Sequence, residues 1–397
     1  MTTTRLYYTD PLLTAFDAVV VSSDEAGGRS RIVLDRTAFY PTSGGQPCDT
    51  GRLGGLPVVE VADREDGVVE HVVEGRIEPG RTVRGEIDWP RRFDHMQQHT
   101  GQHVLSAAFV REGGAETVSF HLGRESSTID LHREVGGREI ARAETTANQV
   151  VWDSRPVVVR FVTDADAATL PLRKDPARPG ELRLVEIADV DLSACGGTHV
   201  PDTGRIGLIA VSGWERFKGG TRVSFVCGGR ALASHRRLRD LAASAGRALS
   251  IGQDELVAAI ERLQADAREQ GRTLKRLHED LAAHRGVALR EQAETIGPYR
   301  VVLTVDSAAG APELRAMATA VVSVPGFVAI LVGGGSPAPV VAARSADVVF
   351  DAGRWLRDAT AALGGRGGGR PELAQGGIAA ESERIVAFGR RSLAEAP

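Results

Sequence analysis

Over the first 88 or so residues, apolar and polar positions alternate in short runs. β-Branched stretches at 19–21, 31–34, 58–61, 68–73 and 82–87 are separated by Gly, Asp and Pro turns. That spacing predicts a small β-barrel or sandwich. Pro90 closes this region. From Arg91 the period lengthens to that of a helix. Asp94, with Gln97 three residues on, reads as its N-terminal cap pair, and Gly113-Gly114 as its end. Extended patterns at 118–130, 157–162, 182–190 and 206–211 then surround a polar helical stretch at 138–151. The fold class is α+β, with this middle part ending near Cys227.

Residues 231–284 are helical and contain no proline. Leu256, Ile260, Leu263, Ala267, Gln270, Leu274, Leu277 and Leu281 step by four and three, which is a coiled-coil seam. Such a helix runs to roughly 40 Å at ~1.5 Å per residue. Ser250-Ile251-Gly252 breaks it from a preceding helix. An antiparallel hairpin within the chain and a dimerisation arm both fit. The last part reads as an α/β unit, with buried strands at 301–305 and 327–332 and a helix at 312–322. A glycine-rich turn at 364–371 precedes a final segment. The expected organisation is 1–90, 91–230, 231–295 and 296–397.

The 397 residues are 42% hydrophobic and 25% charged, which excludes disordered, collagenous and low-complexity classes. The longest apolar runs, such as 327–332, fall far short of the ~20 residues that a membrane helix needs. No apolar signal-peptide core follows Met1-Thr-Thr-Thr-Arg5, so the expected location is the cytoplasm. A net charge of −4 confines any nucleic-acid contact to local patches. The cysteines Cys48, Cys195 and Cys227 are odd in number and far apart, which disfavours disulfides.

Two pairs carry candidate chemistry. His99 and His103 stand four apart on one face of a largely apolar helix, where two imidazoles can grip one ion. Gly101 between them costs about 1 kcal/mol against alanine, so a close approach is expected there. Cys195-Gly-Gly-Thr-His199 places a thiol and an imidazole around a tight turn. Alone, each pair has a plain structural reading, as an incidental helical pair or a glycine turn beside a buried cysteine. Together they offer one sulfur and three nitrogens, a plausible tetrahedral zinc set. A zinc peptidase is disfavoured, because Thr100 stands where His-Glu-x-x-His has its glutamate.

His99-Thr-Gly-Gln-His103 with Cys195-Gly-Gly-Thr-His199 resembles the zinc signature of the alanyl-tRNA synthetase editing domain, shared with free-standing alanyl-tRNA editing proteins (the AlaX family). Residues 39–51 resemble the family's glycine-rich motif, and residues 367–377 the signature of a DHHA1 domain. The resemblance spans nearly the whole chain. It implies an N-terminal β-barrel-like domain (1–90), an α+β zinc-containing editing core (91–230), a helical coiled-coil connector (231–295) and a C-terminal α/β DHHA1-like domain (296–397). With the β-region at the N-terminus, no room is expected for an aminoacylation domain.

The implied activity is zinc-dependent hydrolysis, in trans, of tRNA(Ala) mischarged with serine or glycine, chiefly the seryl ester. The implied Zn2+ ligands are His99, His103, Cys195 and His199. Gly44 and Gly45 are implied to shape the amino-acid pocket, and Ser119 to face the substrate side chain. Gln46, Gln98 and Gln102 line the site or merely solvate it. No general base stands out among His95, Asp94, Asp189 and Asp191. Phosphate contacts are expected on arginine clusters, with Arg366 and Arg370 singled out by the C-terminal motif, and Arg230, Arg236, Arg237, Arg239, Arg247, Arg354, Arg357, Arg390 and Arg391 as further candidates. The partner is tRNA(Ala), no membrane is involved, and a homodimer is one use of the seam. The alternative is a non-catalytic zinc-containing tRNA-binding module. Phosphoesterase chemistry requires an Asp-His-His motif, of which Asp94-His95-Met96 is only a partial echo.

Overall fold

The computed structural model describes residues 2–173 and 181–395. Contacts divide the chain into two compact units, Met1–Ser244 and Ala245–Pro397.

The first unit opens with β1 (Thr4–Arg5), β2 (Ala15–Ala26), β3 (Arg29–Leu34), β4 (Arg36–Thr37), β5 (Gly51–Leu53), β6 (Leu56–Asp63), β7 (Val69–Glu74) and β8 (Thr82–Ile87). Six of these close into a barrel in the order β2-β3-β7-β6-β5-β8, which leaves no open edge. Alternation along β3, β7 and β8 turns Ile32, Leu34, Val69, Val73, Val83 and Ile87 inward onto Phe16, Phe39 and Leu53.

Helix α1 (Trp89–Gly113) starts earlier than the sequence pattern indicates. Asp88, not Asp94, is its cap, accepting from the Arg91 N–H, and Pro90 sits in the first turn instead of ending the β-region. Proline suits that turn because its missing N–H would have no helical partner there. Asp94 instead holds Arg230 (2.6 Å), and the Gln97 amide donates to the Arg205 carbonyl (2.9 Å). Gly114, at φ 65°, ends the helix in the left-handed conformation glycine favours.

Next come β9 (Thr117–Leu122), β10 (Ser127–Leu131), α2 (Gly137–Trp152), β11 (Val157–Val162), α3 (Asp164–Ala167), β12 (Leu182–Ile187), β13 (Asp191–Ala194), β14 (Ile209–Phe217), β15 (Gly220–Cys227) and α4 (Gly228–Leu249). An antiparallel sheet, β14-β15-β10-β9, packs with α1 and α2 around Met96, Leu105, Phe109, Ile129, Ala147 and Phe225. A three-stranded sheet, β11-β12-β13, stands beside it. One fully buried ion pair joins barrel and core: Arg92 of α1 meets Asp49, and also donates to the carbonyls of Pro11 and Ala38. Tyr40 N–H donates to the same Asp49 carboxylate (2.6 Å).

The second unit holds the long helix α5 (Leu256–Leu289), then β16 (Glu294–Ile296), β17 (Tyr299–Asp306), α6 (Ala311–Val321), β18 (Phe327–Gly333), β19 (Ala338–Arg344), α7 (Ala352–Leu363), β20 (Gly365–Arg370), β21 (Leu373–Ile378) and α8 (Ser382–Ala394). The sheet order is β16-β17-β18-β19-β21-β20, with only β17 and β18 parallel, joined through α6. Strand β18 is buried throughout because both faces are covered. Val328, Ile330 and Val332 meet α7 and α8, while Ala329 and Leu331 meet α6 and the end of α5. The glycine-rich run at 364–371, expected as a turn, forms edge strand β20 instead. A Cβ at Gly367 or Gly369 would press on β21, so only glycine lets the strands lie this close. Along α5 the seam residues Ile260, Leu263, Leu274, Leu277 and Leu281 are 49–56% exposed.

Candidate metal centre

His99 and His103 come from successive turns of α1, and Cys195 and His199 from the turn after β13. One ligand atom from each lies within 4.8 Å of all the others. The Cys195 Sγ stands 3.4 Å from His99 Nε2 and 3.3 Å from His199 Nε2. The imidazoles are 2–3% exposed. Each is anchored through Nδ1: His99 on Gln46 Oε1 (2.8 Å), His103 on Asp191 Oδ2 (2.7 Å) and His199 on Thr100 Oγ1 (3.2 Å). Pinning Nδ1 leaves Nε2 facing the shared centre, the arrangement metal-ligating histidines have. One sulfur and three nitrogens so presented fit Zn2+.

The local sequence explains the closeness. A Cβ on Gly101 would overlap the Cys227 sulfur, which accounts for glycine inside this helix. A Cβ on Gly197 would overlap the His99 ring, so the second turn can lie against α1 only with glycine there. Ser43 and Gln46 close a β-turn by mutual backbone hydrogen bonds, with Gly44 at φ 55° and Gly45 at φ 82°. Both glycines supply left-handed geometry, as a type I′ turn requires. The turn docks on β9, where the Leu122 N–H donates to the Gly45 carbonyl (3.1 Å). A Cβ on Gly45 would stand 2.9 Å from the Phe120 carbonyl oxygen, whereas one on Gly44 meets nothing within 4 Å. Gln46 leaves the turn to reach both His99 and Thr198.

Electrostatics prepare this set for a cation. Burial works against ionising Cys195, but the imidazoles of His99 and His199 outweigh it and hold the thiol well below its ordinary value. Burial drives His199 down to about 3. Burial also opposes charge on His103, yet its bond to Asp191 wins and pushes it up to about 9. A thiolate and neutral imidazoles are the protonation states a metal takes up, with His103 giving its proton up on binding.

Other expected residues fall elsewhere. Ser119 does not face the centre: its hydroxyl donates to Asp130 (2.5 Å), which Arg222 holds from the other side. Strand alternation is the reason, because the neighbouring Phe120 is the residue turned toward His99, at 5.3 Å between ring centroids. Gln98 is structural, bonded to both backbone polar groups of Cys227. His95 is buried with its Nδ1 unpartnered, and Asp189 is exposed. Arg230, Arg239, Arg354 and Arg390 are taken by Asp94, Asp240, Asp358 and Glu294. Arg366 and Arg370 stand exposed on β20, with no ion pair among the described residues. Sequence reading did not assign Gln46, Thr100 and Asp191 as the anchors of the histidines. Their only signal is proximity to the motifs: Gln46 follows the glycine pair, Thr100 lies between the helical histidines, and Asp191 precedes Cys195 by four.

Comparison with known proteins gives three matching family models. "Threonyl and Alanyl tRNA synthetase second additional domain" matches residues 182–224, "tRNA synthetases class II (A)" residues 4–91, and "DHHA1 domain" residues 298–389. The alanyl-tRNA editing protein AlaX-L of Pyrococcus horikoshii is 32% identical over 394 residues, covering 96% of each chain. The alanine–tRNA ligase of Methanoregula boonei is 34% identical over 94% of this chain but only 41% of its own length. That of Natronomonas pharaonis is 35% identical, over 94% and 42%. The chain therefore spans about two fifths of these ligases. The solved C-Ala domain of Aquifex aeolicus alanyl-tRNA synthetase covers 26% of this chain at 24% identity, with a TM-score of 0.24, too low to bear on the fold.

Proposed function

The chain belongs to the alanyl-tRNA editing proteins, and on that footing we propose that it is a zinc-dependent aminoacyl-tRNA hydrolase that clears mischarged tRNA(Ala) in trans, with the seryl ester as its main substrate. The observation that carries this reading is the convergence of Cys195 with three imidazoles, each oriented through its far nitrogen. Such an enzyme works in the cytosol, where tRNA is charged. No described helix is long and apolar enough to cross a membrane.

An aminoacyl ester is already activated, so the protein has mainly to position it and shape the pocket. Zinc held by His99, His103, Cys195 and His199 supplies Lewis acidity, used either to polarise the ester carbonyl or to hold the substrate amino group. Gln46, Thr100 and Asp191 hold the proton of each imidazole on Nδ1, which leaves the Nε2 lone pair free for the metal. Gly44 and Gly45 form the wall near Phe120, and backbone polar groups of that turn are suited to hydrogen-bond a serine hydroxyl. A site built to bond a hydroxyl rejects the analogue lacking it far better than apolar fit can. Arg366 and Arg370 on the open side of β20 are suited to tRNA phosphates. The exposed α5 seam is suited to a second copy of the chain, since a four-three repeat is matched by its own equal.

One observation favours a second reading. Four protein ligands is the count of a closed structural zinc site, whereas catalytic sites usually keep a position open. On that reading the protein is a tRNA-binding module without hydrolytic activity. Deacylation of seryl-, glycyl- and alanyl-tRNA(Ala) by wild type, by Cys195→Ala and by metal-stripped protein separates the two. The deacylase reading expects rapid loss of the seryl ester, slow loss of the alanyl ester, and neither with Cys195→Ala or stripped protein. Seryl-tRNA(Ala) untouched by zinc-loaded wild type overturns it.

A further inference from the structure

Among the described residues, the burial pattern around the metal centre opens at Cys195. The imidazoles are sealed, while Cys195 is partly exposed and Ala194 and Gly196 are exposed. What surrounds that opening follows from strand register. Phe161 of β11 is paired with Arg183 of β12, Leu184 with Ala194 of β13, and the Cys195 N–H donates to the Arg183 carbonyl (3.0 Å). Phe161, Arg183 and Cys195 thus form one row across adjacent strands, roughly 4.8 Å apart, with side chains on the same sheet face. Arg183 is the nearest cation in that row to the metal-ligating sulfur.

Arg183 is 7% exposed and has no carboxylate partner among the described residues. Its Nε donates to the Tyr8 carbonyl (3.3 Å) and its Nη1 to the Cys195 carbonyl (2.6 Å). Its Nη2 has no partner among the described residues. The guanidinium lies 5.3 Å from the centre of the Tyr8 ring, and the Tyr8 hydroxyl is 3.7 Å from where a Cβ on Gly196 would stand. Arg92, also buried, shows the usual solution of a facing carboxylate, here Asp49. A buried guanidinium with an unspent donor and no facing carboxylate is costly in the free protein. An arriving anion relieves that cost.

We propose that Arg183, with the Tyr8 hydroxyl beside it, is an anion subsite at the mouth of the metal centre, and that it takes the phosphate on the 5′ side of the nucleotide bearing the ester. The inference rests on the deacylase reading above and names a contact that reading lacks. The row places the guanidinium one strand from Cys195, which suits a phosphate belonging to the same nucleotide as the reacting ester. Phe161, 43% exposed at the far end of the row, leaves room for the chain to continue outward.

The test compares two small esters, seryl adenosine acylated on its ribose and the same compound with a 5′-phosphate, by kcat/KM on zinc-loaded protein. Wild type is expected to prefer the phosphorylated ester by about 10-fold or more, as one charge-assisted hydrogen bond provides. Arg183→Gln is expected to lose that preference, so that the two esters react with equal kcat/KM in the variant. Arg183→Lys is expected to restore part of the preference. Equal use of both esters by wild type overturns the proposal even where no variant folds, and so does an equal loss on both esters in Arg183→Gln. If wild type also leaves seryl-tRNA(Ala) intact, the deacylase reading falls and takes this subsite with it. If wild type cleaves seryl-tRNA(Ala) but ignores the phosphate, only the subsite falls.

Discussion

Gln46 and His99, 53 positions apart, are joined by a 2.8 Å hydrogen bond in which the imidazole Nδ1 donates to the carboxamide oxygen. The barrel's glycine turn therefore sets the tautomer of a histidine on the core helix. Thr198 tightens the link, taking a hydrogen bond from Gln46 Nε2 (2.9 Å) and donating its N–H to Gln46 Oε1 (3.3 Å).

Removing that anchor is expected to weaken metal binding while leaving all four ligands in place. For Gln46→Ala, zinc affinity should fall about 10- to 100-fold, the usual cost of losing such a partner. Gln46→Glu keeps an acceptor and should retain most of the affinity. Titration against a competing chelator reads both, and unchanged affinity in Gln46→Ala would remove Gln46 from the site.

The two turn glycines should respond differently to a methyl group. Both need positive φ, so Gly44→Ala should cost about 1 kcal/mol of stability through strain alone. In Gly45→Ala the methyl also meets the Phe120 carbonyl, so stability should fall further, with seryl-ester hydrolysis reduced more than zinc content. Thermal unfolding with parallel metal analysis distinguishes the two variants. Parallel loss of zinc and activity would mean plain misfolding.

His71 should make the barrel acid-sensitive. It is fully buried, donating from Nδ1 to the Ile32 carbonyl (3.1 Å) and accepting at Nε2 from the Thr37 hydroxyl (2.8 Å). Burial lowers it to about 4. Between its unfolded value near ~6.5 and that folded value, only the unfolded chain takes up the proton. Its contribution is therefore whole above pH ~6.5 and is lost as pH falls toward 4, about 3 kcal/mol in all. Denaturant titrations at pH 7, 5.5 and 4.5 should show a shallower decline for His71→Gln than for wild type. Parallel declines would assign the acid sensitivity elsewhere.

Charge placed in the α5 seam should act on assembly alone. Leu274→Glu with Leu277→Glu alters two side chains of the seam that are 56% and 52% exposed. Light scattering should show a dimer for wild type and a monomer for the variant, with zinc content unchanged. A monomeric wild type would leave the seam without this role.

Much of this architecture could be read from local patterns, for physical reasons. Alternation in the barrel strands marked 31–34, 68–73 and 82–87 because one face of each is buried and the other wet. The four zinc-type ligands were legible because each pair is held by a local turn of fixed geometry. Long-range partners were not: nothing in the sequence around Gln46 names His99, and nothing near Arg92 names Asp49. Asp94 with Gln97 imitated a cap inside a continuing helix, since the same residue types also serve as side-chain partners, here for Arg230 and the Arg205 carbonyl. The face that Ser119 takes was not legible either, because strand alternation gives it to Asp130 and gives Phe120 to His99. The glycines of β20 hid a strand, because alternation cannot be written in residues without side chains.

Exposure differs among the three cysteines: Cys48 and Cys227 are buried, while Cys195 is partly exposed. A water-soluble alkylating reagent applied to the folded protein thus has one accessible target, and that target is a ligand. Bound metal should shield it. Its labelling rate becomes a built-in gauge of occupancy, readable by mass spectrometry without any RNA in the tube.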